Sequence, residues 1–167
     1  MDDPHSDPLS MLLPGDCLLY RPRRWSFFGW AVAIKTWCRL AHCEMYFGRG
    51  WSVASRDGEG VNYYPVREDR LAAVLRPKKF FDMPAAMKWF RATAWHQKYD
   101  WLGLLCFTLA KSQSNLNKMW CSEFLTRCYR QGGFHPFAPW WDADRIAPAQ
   151  FIQSSEFDMV WHDGKRL

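Results

Sequence analysis

The sequence predicts an α+β fold in which a small antiparallel sheet is flanked by helices. Short segments that alternate between apolar and polar residues, separated by glycine-containing turns, run from residue 42 to residue 66, as is typical of neighbouring antiparallel strands. Longer segments with apolar residues at helical spacing follow from residue 83. The chain has 167 residues, of which 49% are hydrophobic and 23% charged, so it can bury one core without disulfide bonds.

The strands are predicted in chain order from their alternation and their turns. The stretch "PGDCLLYRP" predicts a turn and a short strand, and "WSFFGWAVAIKTWCRL" predicts a helix that Gly29 weakens. Three strands joined by two tight turns are predicted over "HCEMYF", "WSVAS" and "VNYYPV". A further candidate strand is "AAVLRPKKFF". We therefore expect an antiparallel meander.

Three helices are predicted in the second half of the chain. In "MPAAMKWFRATAWHQ", Pro84 suits the first helical turn. One face of this helix carries four apolar residues, Met83, Met87, Phe90 and Ala94. The stretch "DWLGLLCFTLAKS" predicts a short buried helix, and a third helix is expected from near Asn117 or Lys118 to Gly132 and Gly133. A tail rich in Trp and Pro, containing "APAQFIQSSEFDMVW", closes the chain.

Much of the basic excess behind the net charge of +5 lies early in the chain. The stretch between Cys17 and Cys43 has no acidic residue and contains Arg21, Arg23, Arg24, Lys35 and Arg39. Because the segment from Arg21 to Trp37 is also rich in aromatic residues, it predicts contact with an anionic membrane surface; a solvated face is the alternative. The sequence shows no arginine-rich run or known nucleic-acid-binding motif, so nucleic acid is not expected as a partner.

The cysteine pattern and the N-terminal residues bear on cofactors and location. The six cysteines show neither a C-x-x-C pair nor zinc-ligand spacing, so we expect reduced thiols and no metal or other cofactor. Residues 1–13 are predicted to be a flexible tail and residues 14–167 a single domain. No secretory signal or membrane span is recognisable, which predicts a cytoplasmic protein as synthesised; delivery elsewhere or association with a virion stays open.

The strand "HCEMYF" separates two kinds of side chain. Cys43, Met45 and Phe47 share an apolar face, whereas His42, Glu44 and Tyr46 share the other. His42 and Glu44 lie about 6–7 Å apart along a strand. The polar face is either one half of a catalytic site or a solvated sheet face.

The segment "KMWCSEFLTRCYRQGG" places Cys121 in or next to the first turn of a predicted helix. Unpaired N–H groups and the positive end of the helix dipole stabilise an anion there. A thiol in that position loses its proton more easily, and the thiolate is the nucleophile. Cys128 lacks this environment and is predicted to pack in the core.

A nucleophilic thiolate requires an imidazole partner, which a third group holds in place. His42 is favoured because a sheet fixes it and Glu44 projects from the same face. The main rival is His96, at the end of a predicted helix, where a cation is also favourable for structural reasons alone. The remaining histidines, in the tail, in a Pro-rich loop and near the C-terminus, are His5, His135 and His162.

Five stretches of the chain carry a family resemblance: "PGDCLLY", "AHCEMYFGRGWSVAS", "GEGVNYYPV", "KYDW" and "WCSEFL". Together they resemble the circularly permuted branch of the NlpC-type papain-like superfamily, closest to YaeF/YiiX-like amidases and more distantly to lecithin retinol acyltransferase-like enzymes. The resemblance covers roughly residues 14–160. It implies a papain-like sheet flanked by helices, with Cys121 as nucleophile, His42 as general base, and amide hydrolysis or acyl transfer through a thioester.

One departure from that family concerns the third catalytic group. Many relatives carry a polar residue on the strand after the histidine, at the position that is Ala54 here. Glu44 is the first candidate for the orienting group. Weaker candidates lie on the next strand or in its turn: Ser52, Ser55, Asp57 and Glu59. The backbone N–H of Cys121 would hold the oxyanion, and candidates for substrate binding or oxyanion support are Tyr20, Tyr99 and Ser122.

Three functions remain as expectations. The leading one is a cysteine peptidase or amidase, with a peptide or amide substrate that the superfamily suggests is cell-wall peptidoglycan in a bacterial or phage context. The second is a lipid acyl hydrolase or acyltransferase, which the basic and aromatic segment from Arg21 to Trp37 favours. The third is a non-catalytic binding protein on the same scaffold, for which Ala54 is the argument.

Overall fold

A six-stranded antiparallel sheet forms the centre of the protein. A computed structural model describes residues 7–23, 30, 33–34, 36–100 and 118–167. The strand order in the sheet is β4-β3-β2-β1-β5-β8, and a second, two-stranded parallel pair is formed by β6 and β7. The bounds of the strands are β1 Cys17–Tyr20, β2 His42–Gly48, β3 Trp51–Arg56, β4 Gly60–Pro65, β5 Leu71–Pro77, β6 Lys98–Tyr99, β7 Lys118–Met119 and β8 Phe157–His162.

The predicted meander is confirmed for β2, β3 and β4, which pair in sequence through tight turns. β5, however, pairs with β1 and not with β4, so the sheet grows from both sides of β1. The prediction that the C-terminal segment is a tail is partly wrong, because β8 pairs with β5 as an edge strand. Its many exposed side chains weaken the apolar alternation by which a strand is recognised in sequence.

Helices pack on one face of the sheet. Their bounds are α1 Met83–Trp89, α2 Cys121–Gln131 and α3 Gln150–Gln153. α1 continues as a π-helical turn over Phe90–Ala94, and the Asp82 carboxylate caps it by accepting the Ala85 N–H at 2.9 Å. The predicted apolar face is confirmed, since Met87, Phe90 and Ala94 are buried in the core. The antiparallel sheet and these helices confirm the α+β class.

The sheet divides the buried side chains into two clusters. The larger cluster lies between the sheet and the helices and includes Cys17, Leu19, Cys43 and Met45 from the strands, with Phe90, Phe124, Leu125 and Cys128 from the helices. The smaller cluster lies on the opposite face and consists of Leu12, Leu18, Tyr20, Tyr46, Leu71 and Val74. Adjacent residues of β1 and β2 therefore enter different clusters, as strand alternation requires.

The described part of the predicted flexible tail is held on the sheet. Pro8–Met11 forms a 3-10 turn, and Leu12 is buried in the smaller cluster. Arg76 of β5 donates to the Met11 carbonyl at 2.7 Å and pairs with Asp16 at 2.8 Å. An arginine on the sheet thus binds the backbone of this segment, and the flexibility of residues 1–13 stays a prediction.

Two predicted helices fall largely on residues that lie outside the described ones. They are "WSFFGWAVAIKTWCRL", of which residues 30, 33–34 and 36–40 are described, and "DWLGLLCFTLAKS", of which only Asp100 is described. Among the described residues, none of the helices combines the length and apolar character that crossing a membrane requires.

The C-terminal end of α2 is fixed by a close backbone approach at Gly132. The Asp82 N–H donates to the Gly132 carbonyl at 2.9 Å. A Cβ atom at Gly132 would lie 2.8 Å from the Asp82 carbonyl oxygen and would overlap the ring of Phe81. Only glycine therefore allows the chain before α1 to lie against the end of α2.

We expect Gly132→Ala to lower the free energy of unfolding by about 1–3 kcal/mol, because the added methyl group must displace packed backbone and a ring. Denaturant unfolding of the purified variant and wild type would measure the loss. The matched control is Gln131→Ala at the exposed neighbouring position, for which a change within about 0.5 kcal/mol is expected. Equal losses in the two variants would contradict the steric explanation.

Candidate active site

Cys121 is the first residue of α2, with Trp120 in extended conformation as its N-cap. The helix begins later than the start predicted near Asn117 or Lys118, because Lys118–Met119 forms β7 beside β6. As the first helical residue, Cys121 has a backbone N–H with no acceptor inside the helix. The predicted placement of its thiol at the positive end of the helix dipole is confirmed.

The sulfur of Cys121 meets β2 where the ladder between β2 and β3 ends. Tyr46 donates its N–H to the Asp16 carbonyl on the β1 side, so the alternate residues of β2 direct their backbone groups toward β3. Pairing with β3 stops at Met45. The next such N–H, that of Cys43, is among the groups that lower the pKa of the Cys121 thiol.

His42 connects the thiol to a carboxylate. Its Nε2 lies 2.9 Å from Oε1 of Glu44, and the neighbouring Cys121 raises the pKa of the ring. Because Nε2 is directed to Glu44, Nδ1 is the ring nitrogen left for Cys121. The side chain of His42 is 17% exposed and that of Glu44 is 1% exposed. The order of groups is that of a nucleophile, a base and an orienting acid.

The interactions shift the two pKa values in opposite directions. A hydrogen bond from the Cys43 thiol is the main cause that holds the pKa of Cys121 well below its ordinary value; burial opposes it, and the charge of His42 and its hydrogen bond add to it. Burial alone would lower the pKa of His42, but Cys121 and then Glu44 outweigh it and raise the pKa to about 9. Both shifts favour the pair of thiolate and imidazolium over the neutral pair.

Glu44 is a buried carboxylate with three side-chain partners. Besides His42, it accepts a hydrogen bond from Nε of Arg56 at 2.7 Å and from Oγ of Ser52 at 2.5 Å. Burial would raise the pKa of Glu44, but the bonds and charges of His42 and Arg56 lower it to about 2. The alternative of a solvated sheet face is therefore wrong at Glu44.

The Glu44 carboxylate and the side chains that bind it fill the space above Ala54. Ser52 and Arg56 flank Ala54 on the same face of β3, and both reach Glu44 across from β2. The carboxylate thus lies over the strand position where the resembled family carries its third polar residue. Ser52 supports Glu44. Ser55 points to the other face, where its hydroxyl donates to the Met119 carbonyl at 2.5 Å.

The three residues predicted for substrate binding or oxyanion support lie in different surroundings. Tyr20 is fully buried with its ring 5.9 Å from that of His42, so it packs behind the histidine and does not face a substrate. Ser122 is fully buried and donates to the Ile146 carbonyl at 2.5 Å, which removes its hydroxyl from the cleft. Tyr99 is half-buried, and burial followed by the charge of Cys121 raises its pKa. Of the three, only Tyr99 remains a candidate.

The other histidines that the structure describes lie elsewhere on the surface. His96 is exposed and stacks on Trp95 with ring centroids 4.6 Å apart. His135 and His162 are exposed, and His5 lies outside the described residues. Cys128 is fully buried, and burial alone raises the pKa of its thiol, which confirms its predicted place in the core.

Two residues of the site were missed by the sequence analysis. Arg56 was assigned to a turn, although its spacing from Ser52 puts both on one face of β3. Cys43 was assigned to the core, and it is buried there, but it is also the main cause of the lowered pKa of Cys121. No sequence signal marks this effect, because it depends on where the β2–β3 ladder ends.

Two apolar grooves lie at the far end of β2 from His42. One has a volume of about 840 Å³ and the other about 560 Å³, and both are bordered by Phe47. Neither groove is lined by Cys121 or His42. Cys121 itself is 2% exposed, so only a small area of this residue is accessible from the surface. Within the described residues, no group of three or more His, Cys, Asp or Glu side chains is arranged to hold a metal ion.

No protein-family model matches the chain, and no curated protein matches it. The chemistry available to the site is therefore inferred from the arrangement of Cys121, His42 and Glu44 itself.

We expect Glu44→Ala to lower the free energy of unfolding at pH 7 by about 3–5 kcal/mol, because the Arg56 guanidinium would remain buried without its carboxylate. Since the folded pKa of Glu44 is lowered to about 2, its contribution is fully present above the unfolded value of about 4.5 and is lost as the pH falls through 2. Urea unfolding at pH 7 and at pH 3 would measure the two differences between wild type and variant.

The matched control is Glu156→Ala, which removes a carboxylate that is 29% exposed from a pair with Lys79, which is 72% exposed. A loss below about 1 kcal/mol is expected there. A difference between wild type and Glu44→Ala that stays constant from pH 7 to pH 3 would contradict the buried ion pair.

Proposed function

We propose that the protein is a cysteine hydrolase that cleaves amide or ester bonds through a thioester on Cys121. The observation that carries the proposal is the order of three groups: Cys121 at the start of a helix, His42 whose pKa Cys121 raises, and a buried carboxylate 2.9 Å from the His42 ring. Structural cysteines have raised pKa values when buried, as Cys128 does. A buried cysteine whose pKa is lowered beside an imidazolium is typical of a nucleophile.

In the first half of the proposed reaction, the Cys121 thiolate attacks the substrate carbonyl carbon. The carbonyl π electrons move onto oxygen, and the N–H of Cys121 at the start of α2 stabilises the oxyanion. Tyr99 is the candidate for a second donor. The His42 imidazolium then gives its Nδ1 proton to the leaving nitrogen or oxygen, so that the amine or alcohol departs and the acyl group remains on sulfur.

In the second half, neutral His42 removes a proton from a water molecule that attacks the thioester. The C–S bond then breaks, its electron pair returns to Cys121 as the thiolate, and the acid product leaves; the proton taken from water stays on His42 as the imidazolium. Glu44 stabilises the charged form of His42 at both stages and fixes the direction of its ring. Because Nε2 is held by Glu44 at 2.9 Å, Nδ1 is the nitrogen that exchanges protons.

The fold that we propose for this chemistry is the permuted papain-like fold. A cysteine at the start of a helix packs against an antiparallel sheet, and the histidine lies on a strand that precedes that helix in sequence. That order agrees with the permuted branch that the sequence resembles. The Glu44 carboxylate lies over Ala54 and supplies the acidic group that the alanine lacks. This weakens the case for a non-catalytic binding protein.

Peptidoglycan peptides are the proposed substrate class because the resembled superfamily acts on them. A phospholipid acyl chain is the second candidate, favoured by one observation. Three large apolar side chains of the early basic segment are strongly exposed: Trp30 at 46%, Ile34 at 69% and Trp37 at 96%. Exposed Trp and Ile next to arginines suit the surface of an anionic membrane.

We expect Cys121→Ala to lower kcat/KM by about 10³-fold or more, because the nucleophile is removed. His42→Ala is expected to cost about 10²–10⁴-fold through the loss of proton transfer. Peptidoglycan fragments, scored by new amino groups, and phosphatidylglycerol vesicles, scored by free fatty acid, would measure the two substrate classes in parallel. Cys128→Ala is the control, and its activity should equal that of wild type.

Full activity in folded Cys121→Ala on whichever substrate the wild type cleaves would end the hydrolase proposal. Release of fatty acid from vesicles without cleavage of peptidoglycan would identify lipids, and not peptides, as the substrate class of the proposed hydrolase.

A bell-shaped pH profile of kcat/KM is expected, since the reactive pair requires a thiolate and an imidazolium. Loss of activity on the alkaline side reports the deprotonation of His42, whose pKa is raised to about 9. Glu44→Gln removes one cause of that rise, so its alkaline limb should move to lower pH by about one unit. An alkaline limb that is the same in both proteins would show that Glu44 does not act on the histidine.

A further inference from the structure

Phe47 lies in a β-bulge at the end of β2, next to the turn into β3. Between Tyr46 and Gly48 the pairing advances two residues on β2 and only one on β3, so Phe47 is the extra residue. A bulge bends its strand and redirects the side chain of the extra residue. The Phe47 ring is partly buried and borders both apolar grooves. One ring therefore forms the boundary between two cavities.

The larger of the two grooves has a volume of about 840 Å³, which is within the range of small-molecule sites. Trp51 on its wall is 47% exposed, so the indole is accessible to a ligand. The smaller groove, of about 560 Å³, continues the apolar surface along α1 on the other side of Phe47. The two together form an elongated surface that suits an apolar chain. The apolar and aromatic residues of the larger groove are Leu12, Pro14, Tyr46, Phe47, Trp51 and Tyr63.

The charged residues among the described lining of both grooves are all cationic. Arg49 borders the larger groove, and Lys88 and Arg91 border the smaller one. Within the described part of the chain, none of these three residues forms an ion pair with an acidic side chain. Uncompensated positive charge beside an apolar groove favours a ligand that carries a negative charge.

Arg91 is held at the junction of the grooves by a hydrogen bond. Its Nε donates to the Tyr63 hydroxyl at 3.0 Å, and the Tyr63 ring is itself fixed by edge contacts with Phe47 and Phe90, at centroid distances of 5.3 and 5.1 Å. The two Nη groups of Arg91 have no acceptor among the residues that the structure describes. A planar guanidinium with both Nη groups available matches the two oxygens of a carboxylate.

We propose that the two grooves bind a long-chain fatty acid at a site separate from Cys121 and His42. The carboxylate pairs with the Nη groups of Arg91, and Lys88 adds a second positive charge. The alkyl chain lies in the larger groove against Trp51. The proposal does not rest on the proposed hydrolase activity, because neither Cys121 nor His42 lines either groove.

The shape of the site favours a fatty acid over the surface of an anionic membrane. A membrane surface is met by apolar side chains that project into it, as the exposed Trp37 does elsewhere on the protein. Phe47 and Trp51 instead line concave grooves, which enclose a single ligand. A fatty acid combines one planar anion with one flexible apolar chain, and these are the two properties that the junction and the larger groove select.

The test is titration calorimetry of the whole protein near neutral pH with three ligands: dodecanoate below its micelle concentration, decanoate and decan-1-ol. Saturable binding of dodecanoate is expected. Decanoate should bind about 15-fold more weakly, because each buried methylene group contributes about fourfold in affinity. Decan-1-ol has the same chain length as decanoate and should bind about tenfold more weakly than decanoate, because it lacks the charge-assisted hydrogen bonds to arginine.

Four variants test the two halves of the site. Arg91→Gln should weaken dodecanoate binding about tenfold and leave decan-1-ol binding unchanged, whereas Arg145→Gln, at an exposed arginine outside both grooves, should match wild type. Trp51→Ser should weaken the binding of both ligands. Trp140→Ser is its control, because Trp140 is 80% exposed and lines neither groove. All four positions are exposed, so folding should be retained.

Lack of saturable dodecanoate binding by folded wild type would overturn the proposal. Equal affinities for decanoate and decan-1-ol would overturn it too, and so would equal losses in Arg91→Gln and Arg145→Gln. Sedimentation with phosphatidylglycerol vesicles is measured in parallel, and binding to vesicles without binding of dodecanoate would assign the protein to a membrane surface instead. Cys121→Ala should bind dodecanoate as wild type does, and a loss there would contradict a site separate from the nucleophile.

Discussion

The burial of the Glu44 carboxylate is the constraint on which the rest of the site depends. A carboxylate that is 1% exposed stays ionised only when neighbouring charges and donors replace the water that it has lost. Arg56 provides a full positive charge at 2.7 Å and Ser52 a hydroxyl. The carboxylate also accepts a hydrogen bond from His42. This interaction favours the imidazolium form of His42 and fixes the direction of its ring.

The charges then alternate along one line through the site: Arg56 is positive, Glu44 negative, His42 positive and Cys121 negative. Each member stabilises the charged form of its neighbour, which is why the pKa of Glu44 falls to about 2 and that of His42 rises to about 9. Arg56 is itself held by the Pro65 carbonyl at 3.0 Å and lies over the ring of Tyr64. The line is thus anchored in the sheet at the arginine end and in the start of α2 at the thiol end.

Much of this site could be predicted from sequence, because its parts obey local rules. Strand alternation predicts that His42 and Glu44 share a face, and helix-end electrostatics favours Cys121 over Cys128. The contributions of Arg56 and Cys43 could not be predicted in the same way. Arg56 requires knowledge of how β3 is aligned on β2, and Cys43 requires knowledge that their pairing stops at Met45. Both are long-range facts of the sheet, as is the addition of β8 to its edge.

Three consecutive residues of β2 supply most of what the nucleophile needs. In the proposed reaction His42 is the base and Glu44 orients it, while Cys43 between them lowers the pKa of Cys121, so their relative positions are fixed by one strand. The remaining variable is the position of α2 over that strand. Hydrogen bonds from Ser55 to Met119 and from Ser122 to Ile146 fix the start of the helix, and Tyr129 fixes a later turn by donating to the Gly15 carbonyl at 2.8 Å. The hydroxyls of these residues hold the helix, so they are buried and paired. This explains why the Ser122 hydroxyl, next to Cys121 in sequence, is directed away from the cleft.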